Sequence, residues 1–355
     1  MTYVIYAPSV HSGGGFELLK DLLSKISADA EVICFLDNRI KLKVPLPSPQ
    51  ATLFWVEPTV TSRLSAEFKL RHKVKNGQDV LVFSGIPPLV PNKGTTTLFL
   101  QNRILIADIS TAKFKLKTRV RLGIEKLALY LSRDRISRYF VQTQSMSVQL
   151  ADWLGKMGSG QIIDRIQILP FHTDQLPALD VKRSQHTVTY DFCYVADGAP
   201  HKNHHLLLDA FVKLAKDDIF PKLALTLGER DTELIHYIED LVTRTGIKVT
   251  NLGFLSQEDV KNLYLSSKAM VFPSLLESFG LPLIEATRMH LPILCSEKDY
   301  ARDVCTPVET FDPTSARSIE RAIRRFLRKA EPLEAVKTTD HFLNAFLSSS
   351  KPLPR

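Results

Sequence analysis

The sequence has 355 residues, too many for one ordinary hydrophobic core, and this length favours two domains of about 170 residues each. Hydrophobic residues make up 44% of the chain and charged residues 24%, which excludes a largely disordered or fibrous protein. The net charge of +8 is a modest excess, so the positions of the basic residues matter more than their number.

The first residues of the chain lack a basic leader, so we expect a strand there rather than a signal peptide. No apolar run approaches the roughly 20 residues of a membrane-spanning helix. The four cysteines show no CxxC spacing and mostly lie in apolar runs. Reduced, buried thiols and a cytoplasmic protein are therefore expected.

The first half of the chain predicts a parallel sheet with covering helices. Residues 3–8 form a predicted strand, Gly13, Gly14 and Gly15 a turn, and the following residues a helix with leucines on one face. A second strand follows at residues 31–36, and this strand–helix–strand order indicates parallel pairing. Further strands are predicted at residues 52–56, 80–83, 97–100, 138–142 and 166–169.

Basic residues concentrate in the stretch 103–138, where apolar residues interleave with them. Such a basic amphipathic segment has three interpretations: a solvated helix that covers the first domain, a contact with an anionic membrane surface, or a contact with nucleic acid. Phe114 and Tyr130 are too few aromatic residues to favour nucleic acid, so no nucleic-acid partner is expected. The other two interpretations stay open.

Residues 173–187 are polar, contain proline and lack periodicity, which predicts a linker between a first domain over 1–172 and a second over 188–335. The tail, 336–355, has an amphipathic pattern that fits a helix packed back on the first domain. In the second domain, strands at 188–195, 223–227, 248–252, 269–272 and 292–295 alternate with helices. This pattern predicts an α/β protein of two Rossmann-like, doubly wound domains that face a ligand-binding cleft.

The strongest candidate for chemistry follows the strand at 269–272. Gly280 and Pro282 open a helix there, since proline is favoured in the first turn. Unpaired N–H groups at such a helix start bind a phosphate or another anionic oxygen. Glu277 and Glu285 stand before and within this helix, where carboxylates can accept hydrogen bonds from sugar hydroxyls. On this segment alone, a helix cap and an exposed helix residue explain the two glutamates equally well.

This segment resembles the E-x7-E signature of the family 4 glycosyltransferases, which have the GT-B fold and retain the anomeric configuration of the transferred sugar. The similarity covers the second domain and, more weakly, the first. The shared positions are Gly253-Phe254, Tyr264, Phe272-Pro273-Ser274, 277–282, Glu285-Ala286, Leu291-Pro292, 300–304 and Phe311-Asp312-Pro313. The resemblance implies a GT-B fold and a retaining hexosyltransferase.

The resemblance also implies roles for individual residues. Glu277 would bind hydroxyls of the transferred sugar and Lys202 the leaving diphosphate, which makes these two the catalytic candidates. Glu285 would bind the ribose of the nucleotide. The other donor-side candidates are Ser278, Phe279, Gly280, Leu281, Gly253, Phe254, Arg230, Gly14 and Gly15. The acceptor-side candidates are Gly13, Gln101, Asn102 and Thr143.

Three positions depart from the family pattern. Asp197 stands where the family carries an arginine, and Arg230 is a candidate to replace that charge. Gln101 stands where many members carry a histidine, and an amide is no general base at neutral pH. His290 takes the place of a helix-ending glycine, a left-handed position that histidine tolerates at modest cost.

The implied partners are a UDP- or GDP-sugar donor and a glycan acceptor, and the basic amphipathic stretch favours a lipid-linked one. The expected setting is bacterial surface-polysaccharide synthesis, at the inner face of the cell membrane. No cofactor and no metal are expected, although His201, His204 and His205 have a spacing compatible with metal binding.

Other classes of protein fit the sequence less well. A non-catalytic nucleotide- or carbohydrate-binding protein has Asp197 and Gln101 in its favour, because both replace reactive or charged groups. A dehydrogenase is disfavoured because Leu18 replaces the third glycine of the dinucleotide fingerprint. A glycosidase also uses two carboxylates, but phosphate-binding features serve no purpose in hydrolysis.

Overall fold

A computed structural model describes residues 2–45, 47–83, 85–109, 112, 114–171, 187–330, 338, 339, 341 and 343. These residues form two parallel sheets, each with helices on its faces, and the predicted α/β class with two Rossmann-like domains is confirmed. The predicted linker and most of the tail lie outside the described residues, so those domain boundaries stay predictions.

The first sheet has seven parallel strands in the order β3-β2-β1-β4-β5-β6-β7. Every strand predicted in this half is present, with ends shifted by at most two residues. The strands are β1 (Thr2–Ala7), β2 (Glu31–Asp37), β3 (Thr52–Val56), β4 (Asp79–Val82), β5 (Thr95–Phe99), β6 (Arg138–Val141) and β7 (Ile166–Ile168). The helices are α1 (Gly13–Ser24), α2 (Val60–Lys73), α3 (Leu116–Ser132) and α4 (Gln144–Lys156).

Both faces of the first sheet are buried, as a parallel sheet requires. Successive residues of β1 point to opposite faces, so Ile5 packs in the core beneath α1. Tyr6 belongs to the opposite core, which α2, α3 and α4 cover. All side chains of β1 from Val4 onward are buried, which explains its continuous apolar sequence.

The second sheet has six parallel strands in the order β10-β9-β8-β11-β12-β13. Its strands are β8 (Tyr190–Tyr194), β9 (Leu223–Leu225), β10 (Val249–Asn251), β11 (Ser267–Phe272), β12 (Ile293–Ser296) and β13 (Glu309–Phe311). Its helices are α5 (His204–Ala215), α6 (Thr232–Thr245), α7 (Gln257–Leu265), α8 (Leu281–Arg288), α9 (Asp299–Arg302) and α10 (Ala316–Phe326). The sequence did not predict β13 or α9, because elements of three or four residues carry too little periodicity.

The conformation of His290 and the character of the helices were also predicted from the sequence. His290 has a φ of 50°, so its predicted left-handed conformation at the end of α8 is confirmed. Among the described residues, no helix combines the length and the apolar character that crossing a bilayer requires.

Candidate active site

Three helices begin at the cleft, and none of them has a capping side chain. α1 begins at Gly13, α5 at His204 and α8 at Leu281. A β carbon at Gly14 would lie 2.7 Å from Leu281 Cδ1, so the starts of α1 and α8 are in contact across the two domains. Helix starts carry unpaired N–H groups and the positive end of the helix dipole. Their convergence forms a site suited to an anionic ligand.

Lys202 and Glu277 form an ion pair between the loops that precede α5 and α8. Lys202 Nζ lies 2.6 Å from Glu277 Oε1, and the side chains are only 17% and 11% exposed. The Tyr194 hydroxyl donates to the Lys202 carbonyl at 2.9 Å, and Leu275 N donates to the His201 carbonyl at 2.8 Å. The two predicted catalytic residues are therefore brought together, and each is held by a fixed loop.

Glu285 lies in α8 and is partly buried. The Tyr264 hydroxyl donates to its carboxyl oxygen at 2.8 Å. Burial raises the pKa of Glu285 to about 7, although the hydrogen bond from Tyr264 acts in the opposite direction. The carboxyl therefore changes charge near neutral pH.

Gly13, Gly15 and Gln101 meet at the first domain's side of the cleft. Gly13 has a φ of 68°, a left-handed conformation that favours glycine. A β carbon at Gly15 would lie 2.6 Å from Gln101 Oε1, so the glycine allows the amide to approach the backbone. Gln101 Nε2 is buried and has no hydrogen-bond partner among the described residues. A buried amide N–H without a partner favours a ligand that accepts a hydrogen bond there.

Two predicted acceptor-side residues have structural partners instead. Asn102 Oδ1 accepts a hydrogen bond from Ile104 N at 3.2 Å and caps the 3₁₀ turn Arg103–Leu105. Thr143 Oγ1 accepts one from Met146 N at 3.2 Å and caps α4. The structure places both near the cleft, but these oxygens are engaged by the backbone.

The predicted base-binding and charge-replacing residues lie on exposed loops. Phe254 is 89% exposed and follows Gly253, whose φ is 77°. Arg230 is exposed, and its side chain makes no hydrogen bond or ion pair with any described residue. Asp197 Oδ1 accepts from Ala199 N at 3.1 Å and so shapes its own loop. The roles predicted for Phe254 and Arg230 stay predictions.

The three neighbouring histidines each contact an aromatic ring. His204 is buried 4.8 Å from the Tyr194 ring, and burial lowers its pKa to about 3. His201 stacks on Phe114, and His205 lies against Tyr237. Within the described ranges, no three His, Cys, Asp or Glu side chains are grouped so that they could hold a metal ion.

Arg103 was predicted as part of the basic surface stretch, and that prediction is wrong. Its side chain is buried, with 9% of the residue exposed, at the interface between the two domains. The guanidinium Nη1 donates to the Glu277 carbonyl at 3.1 Å, and the Arg103 backbone N donates to Ser278 Oγ at 3.0 Å. Its position four residues after Phe99, the last residue of β5, was the available signal, because strand ends line the cleft.

Comparisons with known proteins match the second half of the chain to a protein family and nearly the whole chain to solved structures. Residues 180–339 match the model of a family described as "Glycosyl transferases group 1". The O-antigen chain mannosyltransferase B of Escherichia coli is 30% identical over 105 residues, which cover 29% of this chain and 27% of that protein. The O-antigen chain mannosyltransferase RfbU of Salmonella typhimurium is 33% identical over 138 residues, 37% of each chain. The matches thus span well under half the length of these relatives.

One solved structure similar to nearly the whole chain is that of Alr3699/HepE from Anabaena in complex with UDP and glucose. Its TM-score is 0.64 at 13% identity, and the match covers 91% of this chain and 89% of that one. At this identity the likeness concerns the fold alone. The GT-B fold predicted from the sequence is confirmed, and so is the resemblance of residues 180–339 to glycosyltransferases.

Proposed function

Because residues 180–339 match the group 1 glycosyl transferases, we propose that this chain is a retaining glycosyltransferase. It moves a hexose from a nucleotide-diphosphate sugar to a hydroxyl of a glycan acceptor. The observation that carries this proposal is the Lys202–Glu277 ion pair at the convergence of three uncapped helix starts. One cation, one carboxylate and several free N–H groups match the needs of a sugar diphosphate.

The reaction breaks the bond between the sugar anomeric carbon and the diphosphate oxygen. The bond from the acceptor oxygen to that carbon forms on the same face, and the acceptor proton passes to an oxygen of the departing diphosphate. Lys202 and the N–H groups of Phe279 and Gly280 stabilise the charge that develops on the diphosphate. Glu277 accepts hydrogen bonds from sugar hydroxyls, and Glu285 from those of the ribose. The protein's contribution is positioning and charge stabilisation, with no protein nucleophile.

The reaction needs no metal under this proposal, because Lys202 and the helix starts supply the positive charge that a divalent ion gives elsewhere. The site instead has one cation fewer than the family pattern, since Asp197 replaces an arginine. Arg230 is the proposed replacement because it is exposed and unpaired among the described residues. UDP- and GDP-linked sugars are both candidate donors.

The proposed acceptor is a lipid-linked glycan in bacterial surface-polysaccharide synthesis. Two matched relatives are O-antigen chain mannosyltransferases, which supports this setting. α3 supports it independently, because its outer face is apolar. Five apolar side chains at helical spacing are each more than half exposed on that face: Leu116, Val120, Ile124, Leu127 and Leu131.

Basic residues flank this apolar face of α3 on both sides. At 3.6 residues per turn, Lys117 and Arg121 lie along one edge, and Arg119 and Lys126 along the other. An apolar stripe between basic edges is complementary to the interface of an anionic membrane. We therefore include peripheral binding of α3 to the inner face of the cell membrane in the proposal.

The test of the reaction is Glu277→Gln, assayed with a panel of nucleotide sugars and glycan acceptors. Transfer is expected to fall by about 100- to 1,000-fold, because an amide oxygen is a weaker acceptor and leaves Lys202 without its partner. Nucleotide affinity should stay within a few-fold. The matched control is Glu258→Gln, since Glu258 is also paired with a lysine, Lys261, but lies on the surface.

The outcomes separate the candidate functions. Full transfer by Glu277→Gln contradicts the role of Glu277. Nucleotide binding by the unaltered chain with no transfer or hydrolysis of any nucleotide sugar favours the non-catalytic binding protein. Loss of activity in Glu258→Gln as well shows that the assay reports on folding rather than on the site.

A further inference from the structure

The loop between β11 and α8, residues 273–280, is held from the first domain as well as the second. Arg103 donates four hydrogen bonds, two within the first domain and two to this loop. Its Nε donates to Gln149 Oε1 at 2.6 Å and its Nη1 to Ser145 Oγ at 3.1 Å, both within the first domain. Its Nη1 and its backbone N also reach across to Glu277 and Ser278. Arg103 is thus fixed on one domain and bound to the other.

The start of α4 adds a second contact between the domains. Ser145 N, in the first turn of α4, donates to Asp303 Oδ2 at 2.9 Å, so a carboxylate of the second domain lies at a helix N-terminus of the first. Thr143 Oγ1 contacts the Ser278 carbonyl at 3.5 Å. Asp303 also attracts the Arg103 guanidinium, which opposes the lowering of the Arg103 pKa by burial. The start of α4 and the Arg103 guanidinium therefore both attract the Asp303 carboxylate.

These contacts determine which way two peptide groups of the 273–280 loop face. The carbonyls of Glu277 and Ser278 both accept from the first domain. In a trans peptide the N–H points opposite to the C=O, and the described residues contain no cis peptide bond. The N–H groups of Ser278 and Phe279 therefore point away from Arg103 and Thr143. Opening the cleft would remove this constraint.

We propose that Arg103 is a positioning residue that fixes the 273–280 loop in its donor-binding conformation when the two domains close. This inference rests on the proposed function, because it assigns a role in sugar transfer to residues outside the donor site. A planar guanidinium can serve Gln149, Ser145 and Glu277 at once, whereas a lysine ammonium of the same charge lacks the fork geometry. Closure and the order of the 273–280 loop are coupled through the side chain and backbone of Arg103, beside the longer contact of Thr143 with the Ser278 carbonyl.

The experiment compares Arg103→Lys with Asp303→Ala, which removes the carboxylate from the second domain's side. Asp303 is exposed, so its replacement leaves the core intact. The control is Arg138→Lys, since Arg138 donates to Asp79 and Thr97 inside the first domain. The measurements are kcat and KM for the nucleotide sugar, affinity for the nucleoside diphosphate, and small-angle X-ray scattering with and without nucleotide sugar.

We expect kcat to fall by about 10- to 100-fold in Arg103→Lys and Asp303→Ala, because a small misplacement of binding groups costs this much. Affinity for the nucleoside diphosphate should stay within a few-fold, because Lys202 and Glu285, the proposed ligands of the diphosphate and the ribose, lie outside the 273–280 loop. Scattering should show a larger mean radius than in the unaltered chain. Arg138→Lys should match the unaltered chain in every measurement. A purely structural role would instead lower nucleotide affinity and kcat together.

Wild-type kcat together with unchanged scattering in both variants overturns the proposal. If Arg103→Lys does not fold, Asp303→Ala decides by the same criteria. Absence of any transfer by the unaltered chain refutes the proposed function but leaves this inference testable, because the scattering measurement needs no turnover. In that case an unchanged radius overturns the role of Arg103 in closure, and an increased radius supports it.

Discussion

Glu285 combines a buried carboxyl group with a proposed role, the binding of ribose hydroxyls, that requires its charge. A protonated carboxyl offers fewer acceptor positions than a carboxylate, which can accept from both hydroxyls of a ribose. Burial raises the pKa of Glu285 to about 7, above its ordinary value. The contribution of Glu285 to stability is therefore fully present at acidic pH and is lost as the pH rises through about 7. Under the proposed role, the affinity of Glu285 for hydroxyl groups instead rises with pH, because the carboxylate is the better acceptor.

We expect the affinity for a nucleotide sugar to rise by about tenfold between pH 6 and pH 8, because the carboxylate fraction of Glu285 rises by that factor around a pKa of about 7. Titration calorimetry at pH 6, 7 and 8 measures this. Glu285→Gln should bind more weakly at pH 8 and show no such rise. An equal rise in Glu285→Gln would assign the pH dependence to another group and contradict this role.

Single residues also show what could be predicted from the sequence alone. The positions of Glu277 and Glu285 around a helix start follow from local signals, since Gly280 and Pro282 mark that start. The contacts of Arg103 with Glu277 and Ser278 join residues more than 170 positions apart, and no local pattern encodes them. The basic composition around Arg103 pointed to the surface, whereas three-dimensional packing placed it inside.

Strands and helices could be predicted well wherever burial imposes a regular pattern. Central strands such as β1 and β11 are largely apolar because both faces are covered, and each predicted strand of both sheets is present. β13 has three residues and α9 four, so neither generates a recognisable period. For α3 the sequence indicated an amphipathic helix but left its orientation open, because apolar residues point both inward and outward.

The outward apolar face of α3 leads to a prediction about membrane binding. The double variant Lys117→Gln and Arg119→Gln should bind vesicles of anionic phospholipid about 30-fold more weakly, since each basic residue contributes about 1 kcal/mol near such a surface. Ile124→Gln should also weaken binding, because it removes an apolar contact with the interface. Co-sedimentation with anionic and with zwitterionic vesicles measures both effects.

The control for α3 is Val148→Gln, because Val148 is 59% exposed on a different helix, α4. It should bind vesicles as the unaltered chain does. Binding that is equal for anionic and zwitterionic vesicles contradicts the electrostatic part of the proposal. Binding that neither the basic nor the apolar variants weaken contradicts a role of α3 altogether, and favours the solvated-helix interpretation of this segment.

At the scale of the whole molecule, the proposed donor site depends on both domains. Gly14 contacts Leu281 across the cleft, and Lys115 Nζ lies 2.9 Å from Glu233 Oε1 between α3 and α6. A ligand that is held between two domains stabilises both of them, because the unfolding of either domain removes contacts with the ligand. The thermal unfolding of the chain therefore reports on donor binding without any knowledge of the acceptor.

We expect one class of nucleotide sugar, at 100 times its dissociation constant, to add about 2.7 kcal/mol of stability and to raise Tm by about 4 °C for the two domains unfolding together. Scanning calorimetry of the chain with a panel of UDP- and GDP-sugars measures this. A chelator such as EDTA should leave the shift unchanged, and the sugar 1-phosphate without nucleotide should give a smaller one. A shift abolished by EDTA would contradict the metal-free site, and no shift with any nucleotide sugar would contradict the donor class.

The contact between Gly14 and Leu281 also constrains how the sequence can change over evolution. A methyl group at position 14 would lie 2.7 Å from Leu281 Cδ1, so a larger residue there is accommodated only if the side chain at 281 moves or becomes smaller. The two positions belong to different domains and are far apart in the gene. Related sequences should nevertheless exchange them in a correlated way, with a small residue at one position accompanying a large residue at the other.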